Sequence, residues 1–152
     1  MIRKMKETDV EAVADIWLDT NIKAHDFIPA QYWKEQFPAV KEMLRQAEIY
    51  VYEADLFPAS AGGVERICGF IGMSGEYIEG IFVRKDAQSR GAGRALTDYV
   101  KSVKGRLTLK VYCKNERAIK FYKREGFRIQ EEGVDPATGE KEFTMIWRGE
   151  DK

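Results

Sequence analysis

Two clusters in this sequence combine residue types and spacings suited to chemistry. The first is Gln88-Ser89-Arg90-Gly91-Ala92-Gly93-Arg94, which follows the apolar run Ile81-Phe82-Val83 and leads into Ala95 and Leu96. A strand that ends in a polar turn and restarts as a helix leaves unpaired N–H groups at the helix start, and these attract anions. Glycine at 91 and 93 lets a phosphate come close to the backbone. The P-loop pattern GxxxxGK[ST] is absent, and Leu96 stands where a dinucleotide fingerprint needs its third glycine. The spacing left is Gln-x-x-Gly-x-Gly.

The second cluster runs from Asn115 through Ala118 and Tyr122 to Gly126 and Phe127. The spacing from Asn115 to Tyr122 is nearly two helical turns, so both lie on one face with Ala118 between them. A small residue between two polar ones leaves a slot for a slender ligand arm. The same residues also suit a plain helix, with Asn115 as N-cap, Tyr122 as a core aromatic and Gly126 as the stop.

The Gln88–Gly93 turn resembles the (Q/R)xxGx(G/A) turn of the Gcn5-related N-acetyltransferases (GNAT). Asn115 to Phe127 resembles that family's N-x-x-A-x-x-x-Y-x-x-x-G-F pattern, with each named position filled. The two motifs stand in the family's order, one strand apart. The resemblance implies an enzyme that moves an acetyl group from acetyl-CoA, its co-substrate, to a primary amine by direct attack in a ternary complex. It implies a strand, here Tyr77 to Val83, that splays from its parallel neighbour, and Gly80 suits a bulge or close backbone approach within it. It assigns the main chain of Phe82 and Val83 to the acetyl group and pantetheine. Main-chain N–H groups of Gln88, Ser89, Arg90, Gly91, Ala92, Gly93 and Arg94 take the pyrophosphate. Asn115, beside Ala118, takes the pantetheine arm, and Tyr122 lies at the sulfur as general acid. A non-catalytic acyl-CoA-binding or sensor domain is the alternative, and the presence of Tyr122 counts against it.

The motif does not fix the base that takes the amine proton. Glu79 and Glu76 lie on or just before the splayed strand, and each also reads as a solvated strand edge. His25, Asp26 and Tyr32, with Trp33, fall where relatives build the acceptor pocket, and the sole histidine suits either orienting an acceptor or acting as the base. Asp26 equally suits a cap for the second helix.

The elements that must hold these residues read as follows. Ile2 to Met5 is a short strand, and Thr8-Asp9-Val10-Glu11 matches a capping box that opens a helix over Asp9 to Asn21. A second helix follows Pro29. Strands are expected over Ile49–Ala54, Val64–Met73 and Tyr77–Val83, with a loop over Asp55–Gly63. A helix over Gly91–Lys104, a strand over Leu107–Tyr112 and a helix over Asn115–Glu125 come next. Phe127–Glu132 and Glu142–Trp147 form a closing antiparallel pair around the turn Asp135–Gly139. The order β-α-α-β-β-β-α-β-α-β-β predicts an α/β (α+β) fold: one domain with a mixed, mostly antiparallel sheet flanked by helices.

The chain has 152 residues, enough to bury a core without disulfides or metals. Its 25 basic and 25 acidic residues balance, which argues against a broad nucleic-acid footprint. Two cysteines, Cys68 and Cys113, sit in apolar stretches and read as reduced. One histidine and no CxxC or HExxH pattern argue against a metal. No signal-like or membrane-length apolar run is present, so a cytoplasmic protein, monomer or homodimer, is expected.

Overall fold

The computed structural model describes residues 1–54, 67–88 and 91–149. The loop expected over residues 55–63, the start of the following strand, and Ser89 and Arg90 lie outside the described residues. Strands β1 (Ile2–Lys4), β2 (Glu48–Glu53), β3 (Ile67–Ser74), β4 (Tyr77–Val83), β5 (Arg106–Tyr112), β6 (Arg128–Val134) and β7 (Lys141–Arg148) alternate with helices α1 (Val10–Ala24), α2 (Ala30–Leu44), α3 (Ala92–Val103) and α4 (Glu116–Arg124). The element order is the one the sequence predicts. The strands join one sheet in the order β1-β2-β3-β4-β5-β7-β6. Among the described residues only β4 and β5 pair in parallel, because α3 carries the chain across between them.

β3 is buried along nearly its whole length, since helices cover both faces of the sheet. On one face Val13 and Ile16 of α1 pack with Phe70 and Val51. On the other, Leu96 and Val100 of α3 pack with Ile71, Ile78 and Leu109, and Ile119, Tyr122 and Phe127 extend that cluster. Leu96 and Val100 are one turn apart, the spacing that puts two side chains on one helical face. Tyr122 is thus fixed in the core by its own helix.

One local expectation changes. The Thr8–Glu11 capping box does not form: α1 begins at Val10, and no side chain caps its start. Asp9 instead accepts the Lys6 N–H at 2.7 Å and a two-pronged pair from Arg3 at 2.7 and 3.1 Å. Arg3 arrives on β1, a contact that the local pattern could not contain. Burial works against ionising Asp9, but the Arg3 and Lys6 hydrogen bonds outweigh it and hold the carboxyl below its ordinary value. A carboxyl lowered on folding contributes stability above its unfolded pKa of about 3.9 and loses it as the pH falls through the folded value. Asp9→Asn is therefore expected to cost about 1–3 kcal/mol at neutral pH. In denaturant titrations the gap to wild type should narrow below the ordinary carboxylate range. An equal deficit at neutral and acid pH would show that the charge contributes nothing.

Candidate active site

β4 and β5 part company early. Their parallel pairing covers only Tyr77 with Thr108 and Ile78 with Leu109, although β4 continues to Val83 and β5 to Tyr112. A bulge sets the parting point. Gly72 of β3 faces Gly80 and Met73 faces Ile78, so Glu79 is the extra residue on β4. The sequence reading gives Gly80 a bulge or a close approach: the bulge falls one residue away, and the crowding is there, since a Cβ on Gly80 would run into the Phe82 ring.

Register decides which amides line the gap. The Arg84 N–H donates to the Cys68 carbonyl at 2.7 Å, while Gly69 faces Val83 and Phe70 faces Phe82. Bonded positions alternate along an antiparallel pair. Arg84 and Phe82 therefore turn their main-chain groups to β3, and Val83 and Ile81 turn theirs toward β5. The Val83 carbonyl meets the Gln88 side-chain amide there at 3.0 Å. The main chain of Val83 lies in the gap as expected. That of Phe82 does not, and its ring packs on Phe70 at 4.9 Å. Ile81, two residues back, takes its place. The two-residue period of a strand already says that adjacent Phe82 and Val83 cannot both face the gap, and the register with β3 decides which does.

The gap opens into a cleft of about 1530 Å³. At one end lies the glycine turn. Gly91 has φ 88°, a conformation that L side chains rarely adopt, and it stands immediately before α3. The first bond of the helix runs from the Ala95 N–H to the Gly91 carbonyl, so the amides of Ala92, Gly93 and Arg94 have no partner within α3. A Cβ on Gly91 would meet nothing within 4 Å, whereas one on Gly93 would meet the Phe121 ring at 3.3 Å. Gly93 is therefore also a packing glycine that seats α3 on α4. Ala92 is buried and Arg94 exposed. Gln88 accepts a hydrogen bond from Arg117 at 2.6 Å, which brings a guanidinium to this end. Lys85 lines it too. Neither cation was singled out from the sequence.

In the middle stand Asn115 and Tyr122, as their spacing predicts. Asn115 caps α4, its Oδ1 accepting the Ala118 N–H at 3.3 Å. Its Nδ2 lies 3.3 Å from Nε2 of His25. Tyr122 is 8% exposed and borders the cleft between the edges of Phe121 and Phe127. Burial, then the nearby Tyr77, pushes its hydroxyl well above the ordinary phenol value, so it stays protonated.

The far end is aromatic and acidic. His25 stacks on Trp33 at 5.3 Å and meets Phe27 and Tyr112 edge-on. Tyr112 donates to Asp135 at 2.6 Å. Glu79, Asp135 and Glu142 all border the cleft, and after burial these three carboxylates raise the Tyr77 hydroxyl. Burial also raises the Glu142 carboxyl, helped by Asp135 and opposed by Lys110 at 3.9 Å. Asp135 and Glu142 reach the site from β7 and the turn before it, a long-range placement with no local signature. Glu76 lies outside the cleft, paired with Arg106 at 3.2 Å. Asp26 is exposed and caps nothing, since Pro29 precedes α2. Tyr32 borders a separate small hollow with Phe27 and Thr138.

A parted parallel pair, an open ladder on β4 and a glycine-led helix start beside it suit a linear ligand with a phosphate end. Comparison with known proteins agrees. Residues 45–129 match the family model described as an acetyltransferase (GNAT) domain. The chain is 33% identical over 149 residues to the peptidyl-lysine N-acetyltransferase YiaC of Escherichia coli, covering 97% of this chain and 96% of that one. The chain belongs to the GNAT family. Membership makes it an acetyl-CoA-dependent N-acetyltransferase. Among solved structures, apo YjaB of Escherichia coli superposes with a TM-score of 0.82 at 26% identity, over 97% of this chain and 96% of that one. The PaiA N-acetyltransferase of Thermoplasma acidophilum, solved with coenzyme A, shares the fold with a TM-score of 0.78 at 17% identity, over 97% and 98%. No helix among the described residues is long and apolar enough to cross a membrane.

Proposed function

We propose that this GNAT domain, acting in the cytoplasm, acetylates the ε-amine of protein lysines and that the cleft between β4 and β5 is where it does so. The observation that carries this reading is the open ladder on β4, with a phosphate-suited helix start at one end and carboxylates at the other. Pantetheine amides pair with the main chain of Ile81 and Val83, as a strand would. The pyrophosphate sits on the amides before and within the first turn of α3, at Gln88, Gly91, Ala92, Gly93 and Arg94 and across the undescribed Ser89 and Arg90. Lys85 and Arg117 supply positive charge beside it. Asn115 holds the arm over the slot at Ala118. Tyr122 stands at the sulfur.

The acceptor comes from the opposite end. Glu79, Asp135 and Glu142 favour an approaching ammonium, and the rings of Trp33 and Tyr112 suit an aliphatic stem. The name of the relative YiaC supports a peptidyl-lysine acceptor over a small amine. Only a neutral amine has a lone pair to attack with, so a carboxylate must first take its proton. Glu79 is the leading candidate, because the bulge turns an acid into the cleft where the strands part. Attack on the thioester carbon forms the C–N bond and leaves a tetrahedral oxyanion, which the Ile81 amide stabilises. The nitrogen sheds its extra proton to solvent, collapse breaks the C–S bond, and the departing sulfur takes the Tyr122 proton, which solvent then restores to the phenol.

Purified protein with acetyl-CoA should release free thiol with lysine-bearing peptides and give an amide-linked acetyl on the lysine by mass spectrometry. Peptides whose sole amine is the N-terminus, and small polyamines, should turn over at least about tenfold more slowly, a discrimination of about 1.4 kcal/mol. Preferential acetylation of N-termini or small amines would sink the lysine reading and leave the family standing.

A further inference from the structure

His25 touches the residue that meets the co-substrate, although its place in the chain suggests the acceptor. Asn115 Oδ1 is committed to the Ala118 N–H, which fixes the orientation of the amide. Nδ2 must therefore face His25, and the ring nitrogen 3.3 Å away must accept. Nε2 then carries the lone pair and Nδ1 the proton, although Nδ1 is buried and finds no hydrogen-bond partner among the described residues. One Nδ2 hydrogen is used on His25, which aims the other.

We propose that His25 is a positioning residue for the co-substrate: its Nε2 holds Asn115 in the rotamer that presents an N–H to the pantetheine arm. This rests on the reading of Asn115 as a pantetheine contact. Three aromatic rings fix the imidazole itself, with Trp33 stacked and Phe27 and Tyr112 edge-on. A ring packed this way gains little by pointing at a loose partner. Burial favours its neutral form, against a smaller opposing effect of the Asn21 carbonyl. That agrees with a ring that must accept.

Calorimetry of CoA binding tests the proposal. His25→Phe keeps the packing and removes the acceptor, and Asn115→Ser keeps a cap for α4 and removes the amide. His25→Phe should weaken CoA about 3- to 10-fold, the scale of one neutral hydrogen bond. In the Asn115→Ser background the same change should cost nothing more. His25→Gln, which restores an acceptor, should recover most of the loss. KM for the amine at saturating acetyl-CoA should not move.

The wild-type protein offers a second reading that needs no His25 variant. A protonated imidazole would present a hydrogen to Asn115 Nδ2, so CoA affinity should fall as the pH drops below the ordinary histidine range. A phosphate monoester titrates nearby, at about 6, so the Asn115→Ser protein is the reference. Tyr112, tied to Asp135, is the titratable group against the ring, and Lys114 stands across Phe27 at 5.4 Å. Asp26 adjoins it in the chain and is exposed. Burial and the bond to Asp135 push the Tyr112 hydroxyl above the ordinary phenol value, so it stays protonated through this range.

A penalty that persists in Asn115→Ser would make the role structural and overturn the proposal. So would a raised amine KM with CoA affinity intact, or an acid loss identical in both proteins. If Asn115→Ser itself binds CoA like wild type, the reading of Asn115 falls, and the proposal with it.

Discussion

Tyr122→Phe is expected to lower kcat by about 10²–10⁴-fold, the usual contribution of a positioned general acid. The expected result is large because the substitution is small. The ring keeps its edges on Phe121 and Phe127, and only the hydroxyl at the cleft is lost. Melting temperature and CoA affinity should stay near wild type. A free thiol has a pKa of about 8.5 and a phenol about 10, so proton transfer to the thiolate runs uphill in water. Burial raises the phenol further, and the same apolar surroundings raise a thiolate placed beside it. The pair stays close enough for a held proton to move. The raised phenol also sets a pH signature: kcat should show no falling limb from Tyr122 up to about pH 10. A Phe variant at full rate would show that the sulfur leaves unaided.

The second large effect concerns the glycine turn. Wild-type protein at CoA concentrations of 100 times Kd should gain about 2.7 kcal/mol. In a domain of this size that is a rise of roughly 5–11 °C in Tm. Gly91→Val should erase the rise. At φ 88° a branched side chain is strained, and relief moves the amides that open α3. The free variant should lose only about 1–2 kcal/mol, so the missing ligand effect remains measurable. Gly93→Val is a poorer test, because its added methyls meet Phe121 and unseat α3 from α4 as well. A Gly91→Val protein that still rises with CoA would move the pyrophosphate elsewhere.

The sequence made legible what is local. Asn115 and Tyr122 share a face because their spacing is helical, and the structure places both on the cleft. The crossover through α3 forces the parallel pair, and both follow from element order. Parity was harder. Whether Phe82 or Ile81 faces the gap depends on the register with β3, which the bulge at Glu79 shifts by one residue. The carboxylates of Asp135 and Glu142 belong to a turn and strand at the far end of the chain, and only folding brings them near Tyr77. Asp9 shows the same limit at small scale. Its neighbours in sequence suggested a cap, and its partner in space is Arg3.

The unpaired stretch of β4 also bears on how the protein keeps to itself. A row of free amides and carbonyls is a template on which a foreign strand can grow, and proteins defend such rows at their margins. Here the row lies inside the sheet, with β3 on one side and β5 diverging on the other. An intruding strand would need a backbone and two ranks of side chains to fit within the wedge, and the Gln88 amide already blocks its last carbonyl. An amide-bearing arm such as pantetheine lacks the two alternating ranks of side chains that a strand would bring. Because the row is interior, flanked by β3 and β5, it presents no free sheet edge for a foreign strand to join.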